Sequence, residues 1–256
     1  MSFSLDLTGK IALVTGGSRG IGAACVRMFR QAGASVVFNY RKAREAADAL
    51  VSELGGEGCY AVQAELDGTG AEEALVRAAV DRFGALDILV LNHGIWPPHD
   101  QPIDTMTAEQ WRKTLAINLD SVFALVKHGV AQMKRQGRGG HIVVVSSTAG
   151  QRGEAFHCDY AATKGAVISM VKGLSTELAR DRIYVNCVAP GWVATDMTAA
   201  VLEQPETQRK ILQVIPLGRP AKPEEIAAPI LFLCTSHAGF ITGEIFNVNG
   251  GAVLVG

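Results

Sequence analysis

The sequence predicts an α/β fold, a single doubly wound, parallel, seven-stranded sheet with helices on both faces, of the Rossmann kind. Three observations carry this. Short β-branched runs alternate with longer helical patterns from end to end, the pattern that builds a parallel sheet covered on both sides. The first such run passes directly into a glycine-rich turn and then a helix. No Ser/Gly-rich linker, charge block, internal repeat or low-complexity tract interrupts the 256 residues, so 1–256 reads as one domain.

Taken in order, the strand candidates are Ile11–Thr15, Ser35–Asn39, Cys59–Ala64, Asp87–Leu91, His141–Ser146, Tyr184–Val188 and Ile245–Val248. The helical segments between them carry start signals. Thr69 with Glu72, and Thr107 with Gln110, have the spacing of a capping box, in which a hydroxyl and a side chain three residues on satisfy free amides reciprocally. Pro223 ahead of Glu224 and Glu225 suits a first helical turn, and Pro229 is expected to bend or restart that helix.

Composition narrows the function. With 24 Lys+Arg against 25 Asp+Glu the formal net charge is −1, without the basic excess that nucleic acid or an anionic membrane surface requires. At 48% hydrophobic and 19% charged the chain is of the soluble globular type. Its longest apolar runs reach roughly half the ~20 residues of a membrane-spanning helix. The N-terminus lacks a basic segment followed by an apolar one, so a cytosolic protein is expected. Five scattered cysteines form no C-x-x-C pair and six histidines no H-E-x-x-H, so reduced thiols and no metal are expected.

The strand Ile11–Val14 runs into Thr15-Gly16-Gly17-Ser18-Arg19-Gly20-Ile21-Gly22 and then a helix. Glycines at 16, 20 and 22 allow a tight turn, close approach of backbone to phosphate, and close helix–strand packing, while the helix start offers free amides to an anion. A dinucleotide site follows. An NAD site usually carries a carboxylate at the end of the second strand, for the ribose hydroxyls. Here that strand ends Asn39-Tyr40-Arg41-Lys42, and Arg19 lies in the phosphate turn, so two guanidinium groups stand ready for a ribose 2′-phosphate. NADP(H) is the expected cofactor, with NAD(H) as the alternative.

Tyr160 and Lys164 are spaced i, i+4, one turn apart on a helix face. A phenol is a poor acid or base near neutrality unless a neighbouring ammonium lowers its pKa. Ser147, thirteen residues before Tyr160, closes the strand His141–Ser146 and can hydrogen-bond a substrate oxygen in the same cleft. Asn118 is a poor choice for the helix interior Thr114–Leu119; it either holds a water in a proton path or bonds its own backbone, the second being the plainer reading.

Together these segments resemble the short-chain dehydrogenase/reductase family over nearly the whole chain. The resemblance is carried by the T-G-x-x-x-G-x-G turn from Thr15 to Gly22, by Asn92-x-Gly94, by Ser147, Tyr160 and Lys164, and by Pro190-Gly191-Trp192-Val193-Ala194-Thr195. It implies that Tyr160 is the general acid/base, that Lys164 lowers its pKa and holds the nicotinamide ribose, that Ser147 orients the substrate oxygen, and that Asn118 supports a water relay. It implies a cofactor held by Gly16, Ser18, Arg19, Gly20, Ile21, Gly22, Asn39, Tyr40, Arg41, Glu65, Leu66, Asn92, Gly94, Pro190, Gly191, Val193 and Thr195 together with Tyr160 and Lys164. The substrate would be bounded by the segments Ile95–His99, Gln151–His157 and Trp192–Val201. The closing stretch from Ile241 to Gly251 resembles the family's tetramer-forming C-terminus, so a homotetramer is expected.

Within the family the sequence is most similar to the 3-oxoacyl-[acyl-carrier-protein] reductases, which implies a 3-oxoacyl thioester as substrate. A sugar, polyol or other secondary-alcohol dehydrogenase is the alternative, and a non-catalytic NADP(H) sensor a third. Three positions depart from the family pattern: His93 where a small residue, usually alanine, stands; Glu65 in place of the aspartate after the third strand; and Thr176 in place of one arginine that grips the acidic carrier.

Overall fold

Each β-branched run becomes a strand in the computed structural model, which describes residues 4–255. The strands are β1 (Ile11–Val14), β2 (Ser35–Tyr40), β3 (Cys59–Gln63), β4 (Ile88–Leu91), β5 (Gly140–Val145), β6 (Ile183–Pro190) and β7 (Ile245–Val248). All neighbours pair in parallel, in the order β3-β2-β1-β4-β5-β6-β7. The chain builds outward from β1 to β3, then crosses back to lay β4 against the other side of β1.

Side-chain alternation along the strands sorts the interior into two cores. On one face Ala12, Val14, Val36, Phe38, Ile88 and Val90 pack with Phe29 and Val26 of α1 (Gly20–Gln31) and with Ile226 and Ile230 of α10 (Pro223–Leu233). On the other, Leu13, Val37, Leu89 and Leu91 pack with three helices: α3 (Ala71–Phe83), α5 (Ser121–Gln136) and α7 (Cys158–Leu178). Because both faces are covered, the central strands read as continuous apolar runs and not as alternating ones. No helix among the described residues is long and apolar enough to cross a membrane.

Three local expectations change. Thr69 does not cap α3: its hydroxyl and amide are captured by the Asp67 carboxylate (2.6 and 3.1 Å), and Gly70 takes the cap position. Glu72, fully buried, still plays the acid half of the box, accepting from the Gly68 and Gly70 amides (2.8 and 3.1 Å). Thr107 does cap α4 (Ala108–Leu115), accepting from the Gln110 amide at 3.1 Å, but the Gln110 side chain turns away to Asp159 at 3.2 Å. Helix α10 runs unbroken through Pro229; the carbonyl deprived of a donor belongs to Glu225, in the exposed first turn.

His141, second in β5, stacks on Tyr184, ring centroids 5.1 Å apart, and burial lowers its pKa to about 4; its Nδ1 has no partner. The folded chain thus holds the ring neutral while the unfolded chain protonates it near pH 6.5. Its contribution to stability is complete above about pH 6.5 and is lost as pH falls toward the folded value. The thermal midpoint is expected to fall between pH 7 and pH 5, and less steeply in His141→Phe; parallel slopes for the two proteins would contradict this assignment.

Candidate active site

The chain reversal between β3 and β4 leaves a crevice beyond the carboxyl ends of β1 and β4, the place where doubly wound sheets take ligands. The glycine-rich turn forms its floor. Gly16 and Gly20 have φ of +64° and +51°, which side chains disfavour. A Cβ at Gly22 would collide with the Gly16 carbonyl and crowd Asn92, so α1 can start only where it does if residue 22 is glycine. The start of α1 has no side-chain cap and no acidic residue in its first turn, leaving amides free for an anion.

Neighbouring strands brace this turn. Asn92, after β4, donates to the Thr15 and Gly16 carbonyls (3.0 and 3.3 Å). Asn39, at the end of β2, accepts from the Gly16 amide at 2.8 Å and donates to the Ala64 carbonyl at 3.0 Å. Expected as a cofactor contact, Asn39 lines the cleft but already commits its amide to tying the turn to the end of β3.

At the end of β5 the buried Ser146 donates its hydroxyl to the Lys164 carbonyl at 2.7 Å. Ser147 caps α6 (Thr148–Arg152), accepting from the Ala149 amide at 3.1 Å. Gly150 lets α6 and α7 touch, since a Cβ there would stand 2.5 Å from the Lys164 backbone. This close crossing places Tyr160 and Lys164 beside Ser147. The Lys164 side chain is buried; its Nζ donates to the Val145 carbonyl at 2.8 Å and lies 5.7 Å from the Tyr160 ring centroid. Burial lowers its pKa to about 8.

The Tyr160 phenol is pushed up to about 12 by burial, against a hydrogen bond from Ser147 that works the other way; the nearby Glu154 carboxylate adds to the rise. Burial sets the direction of the phenol's shift, and the Lys164 ammonium, bonded to the Val145 carbonyl, is not among the groups that move it.

Asn118 sits in a π turn, Ala116–Asp120, between α4 and α5. It does not bond its own backbone. Its Oδ1 accepts from the Ile95 amide at 2.8 Å and its Nδ2 donates to the Ile95 carbonyl at 2.9 Å, fixing the wall segment that follows β4.

These groups surround one cleft of about 620 Å³, large enough for a cofactor-sized ligand. Of the site residues read from the sequence, all but Gly22 and Asn118 line it; those two act from behind. Its two guanidinium groups are each paired across the cleft: Arg41 with Glu65 at 3.3 Å and Arg19 with Asp196 at 3.2 Å. Asp196 was not expected from the sequence, which offers no signal for a partner 177 residues away. Above Tyr160, Trp96 stacks on His157 (4.6 Å), meets Trp192 edge-on (6.1 Å) and donates to Glu154 at 3.2 Å. His157 itself is buried behind Trp96, bonded to the Pro97 carbonyl at 2.9 Å. Among the described residues no cluster of His, Cys, Asp or Glu could hold a metal ion.

The glycine turn, whose close packing a Cβ would break, and the uncapped α1 start fit a dinucleotide pyrophosphate. The comparisons agree. A family model described as enoyl-(acyl carrier protein) reductase matches residues 16–253. The chain is 40% identical over 252 residues to the 3-oxoacyl-[acyl-carrier-protein] reductase of a Synechocystis strain, covering 97% of this chain and 98% of that one. A short-chain glucose/ribitol dehydrogenase from Brucella melitensis superposes with a TM-score of 0.90 at 36% identity, covering all of both chains. A 3-ketoacyl-(acyl-carrier-protein) reductase from the same organism, complexed with NADH, superposes with a TM-score of 0.89 at 32% identity, covering 98% and 100%. With its glycine-rich turn and its Ser147, Tyr160 and Lys164 converging in one cleft, the chain belongs to the short-chain dehydrogenase/reductase family.

Proposed function

We propose that this protein is a nicotinamide-dependent oxidoreductase that reduces the keto group of a 3-oxoacyl thioester, with NADP(H) preferred. The observation that carries the reading is the convergence of a phosphate-cradling turn with Ser147, Tyr160 and Lys164 in a single cleft. The likeness to 3-oxoacyl reductases supports the substrate class.

Bound in this cleft, the nicotinamide cofactor would supply the hydride. The residues proposed to hold it are those lining the cleft from Gly16 to Ile21, Tyr40, Arg41, Glu65, Leu66, Asn92, Gly94, Pro190, Gly191, Val193 and Thr195, with Asn39 and Gly22 shaping the turn. Ser147 and Tyr160 hold the carbonyl oxygen by hydrogen bonds. Tyr160, protonated at neutral pH, gives its proton to that oxygen as negative charge builds on it. Lys164, with a pKa near 8, can hold or release a proton close to neutrality and so return one to the tyrosine. Asn118 holds the Ile95 backbone beside this path.

The sign of the phenol shift sets a pH dependence. Reduction needs neutral Tyr160 and is supported across the neutral range; alcohol oxidation needs the phenolate, so its rate is expected to climb with alkaline pH. An oxidative rate that is flat from pH 7 to 10 would contradict the role of the phenol. Tyr160→Phe is expected to bind NADPH nearly as the parent does and to lose on the order of 10²–10⁴-fold in turnover. Lys164→Ala is expected also to weaken cofactor binding. Fluorescence titration and initial rates measure the two separately.

Arg19 and Arg41 support the NADP(H) preference, but each is paired with a carboxylate that a 2′-phosphate must share or displace. The NADPH/NADH ratio of kcat/KM is therefore expected to fall about tenfold in Arg41→Ala, and to rise in Glu65→Gln. A ratio unmoved by Arg41→Ala would overturn the assignment.

Loss of reduced-nicotinamide absorbance with acetoacetyl-CoA, run with NADPH and with NADH, tests the substrate class. Consumption of NADPH is the expected result. Inertness toward the thioester, with cofactor binding shown, would favour the second reading, a sugar, polyol or other secondary-alcohol dehydrogenase. That reading draws on the likeness to a glucose/ribitol dehydrogenase and on the polar Arg152 and Glu154 in the cleft wall. The complete Ser147, Tyr160, Lys164 set argues against a non-catalytic sensor.

The proposal includes a single functional domain, a cytosolic location and a homotetramer. Exposed Trp111, Phe123 and Phe240 support an assembly, and light scattering is expected to give about four times the 27.1 kDa chain mass.

A further inference from the structure

His93 is a cleft residue whose chemistry the proposed reaction does not use, and it stands where the resemblance to the family implies a small residue. Both of its ring nitrogens are engaged. Nδ1 lies 2.8 Å from the Thr15 hydroxyl and Nε2 lies 2.7 Å from the Ser121 hydroxyl, two groups that are themselves fully buried. The neighbouring donors and acceptors favour one tautomer. The Thr15 oxygen already accepts from the Asn92 and His93 amides (3.0 and 3.2 Å), which fills its two lone pairs, so its own proton has two acceptors within reach, Nδ1 at 2.8 Å and the Val90 carbonyl at 3.3 Å, of which Nδ1 is the nearer. Nε2 then carries the ring proton, which it directs at Ser121 and at the Ile117 carbonyl, while the Ser121 hydroxyl donates to that same carbonyl at 2.7 Å. Every polar atom in the chain from Thr15 to Ile117 is satisfied in this one arrangement. Burial and the nearby Lys164 ammonium keep the ring neutral, lowering its pKa to about 3, so the arrangement persists through the physiological range.

Thr15 begins the glycine-rich turn, Ile117 precedes Asn118 in the π turn, and Ser121 opens α5 directly after that turn. We propose that His93 is a positioning residue, its imidazole setting the spacing between the phosphate-binding turn and the π turn that carries Asn118. The segment after β4 is stitched residue by residue: Asn92 to the turn, His93 to both sides, and Ile95 to Asn118. Gly94 lies between, where a Cβ would stand 3.2 Å from Asn118 Oδ1 and 3.6 Å from Lys164 Nζ, so a shift in the π turn is felt at the catalytic lysine. In this chain an alanine at 93 leaves the Thr15 and Ser121 hydroxyls facing a ring-sized void.

The inference rests on the oxidoreductase reading of the cleft. NADPH affinity, read by fluorescence titration, needs no substrate, so failure of the substrate assignment and failure of this inference are distinguishable. In His93→Ala the dissociation constant for NADPH is expected to rise about tenfold and kcat to fall about tenfold, with KM for the carbonyl substrate changed less than twofold. Ser121→Ala is expected to move the same two quantities by less. The double variant should be no worse than His93→Ala, since both act through one link. A lowered melting temperature with wild-type kcat and NADPH affinity would overturn the proposal by making His93 a packing residue, and so would effects that add in the double variant. Should His93→Ala not fold, Ser121→Ala, which removes only a hydroxyl, carries the test, and wild-type values for it would overturn the proposal. Wild-type protein that binds neither NADPH nor NADH would sink the cleft reading and this inference with it.

Discussion

The reversal of strand order at β1 governs what this protein can do. Because β2 and β4 lie on opposite sides of β1, the connections leaving β1 and β4 diverge to opposite faces and leave an open crevice between them. Backbone, not side chain, has to line its narrow end. The glycines at 16, 22 and 94 meet that demand: a Cβ would collide with backbone at Gly22 and crowd His93 and Asn118 at the other two. Asn39 and Asn92 then hold the turn with amides that strand ends alone could not provide.

A buried ammonium sets the second constraint. Taking a lysine out of water is costly unless it is hydrogen-bonded, and the Val145 carbonyl supplies one partner at 2.8 Å. The same burial that lowers the Lys164 pKa raises that of Tyr160. Desolvation thus brings the lysine toward neutrality and makes the phenol a weaker acid, so the proposed proton transfer depends on the negative charge that builds on the carbonyl oxygen to draw the proton across. Ser146 and Gly150 make this burial geometrically feasible by holding α7 hard against the end of β5.

Much of this architecture was legible in the residues, for a physical reason. All seven strands fall within two residues of the expected ranges; the five central ones are buried on both faces and so read as short, apolar, β-branched runs, which few other elements do. The glycine turn was legible because its stereochemistry admits little else. What escaped depends on contacts between residues distant in sequence. Asn39, read as a ligand contact, lines the cleft and also ties Gly16 to Ala64; Arg19 and Arg41 face Asp196 and Glu65. The π turn is an irregularity that a 3.6-residue period does not reveal, although the misfit of Asn118 in a helix interior was its trace. Thr69 had the spacing of a cap, and Asp67, two residues earlier, won its hydroxyl.

The proposed function requires one cleft to bring a reduced nicotinamide and the Tyr160 proton to the same carbonyl group. Single-turnover reduction of acetoacetyl-CoA by NADPH deuterated at the transferring C4 position, with the product analysed by mass spectrometry, tests it most directly. The account predicts a 3-hydroxyacyl product carrying one deuterium at the carbinol carbon, formed by the wild-type chain and almost abolished in Tyr160→Phe. Unlabelled product, or labelled product formed equally fast without the phenol, would contradict it.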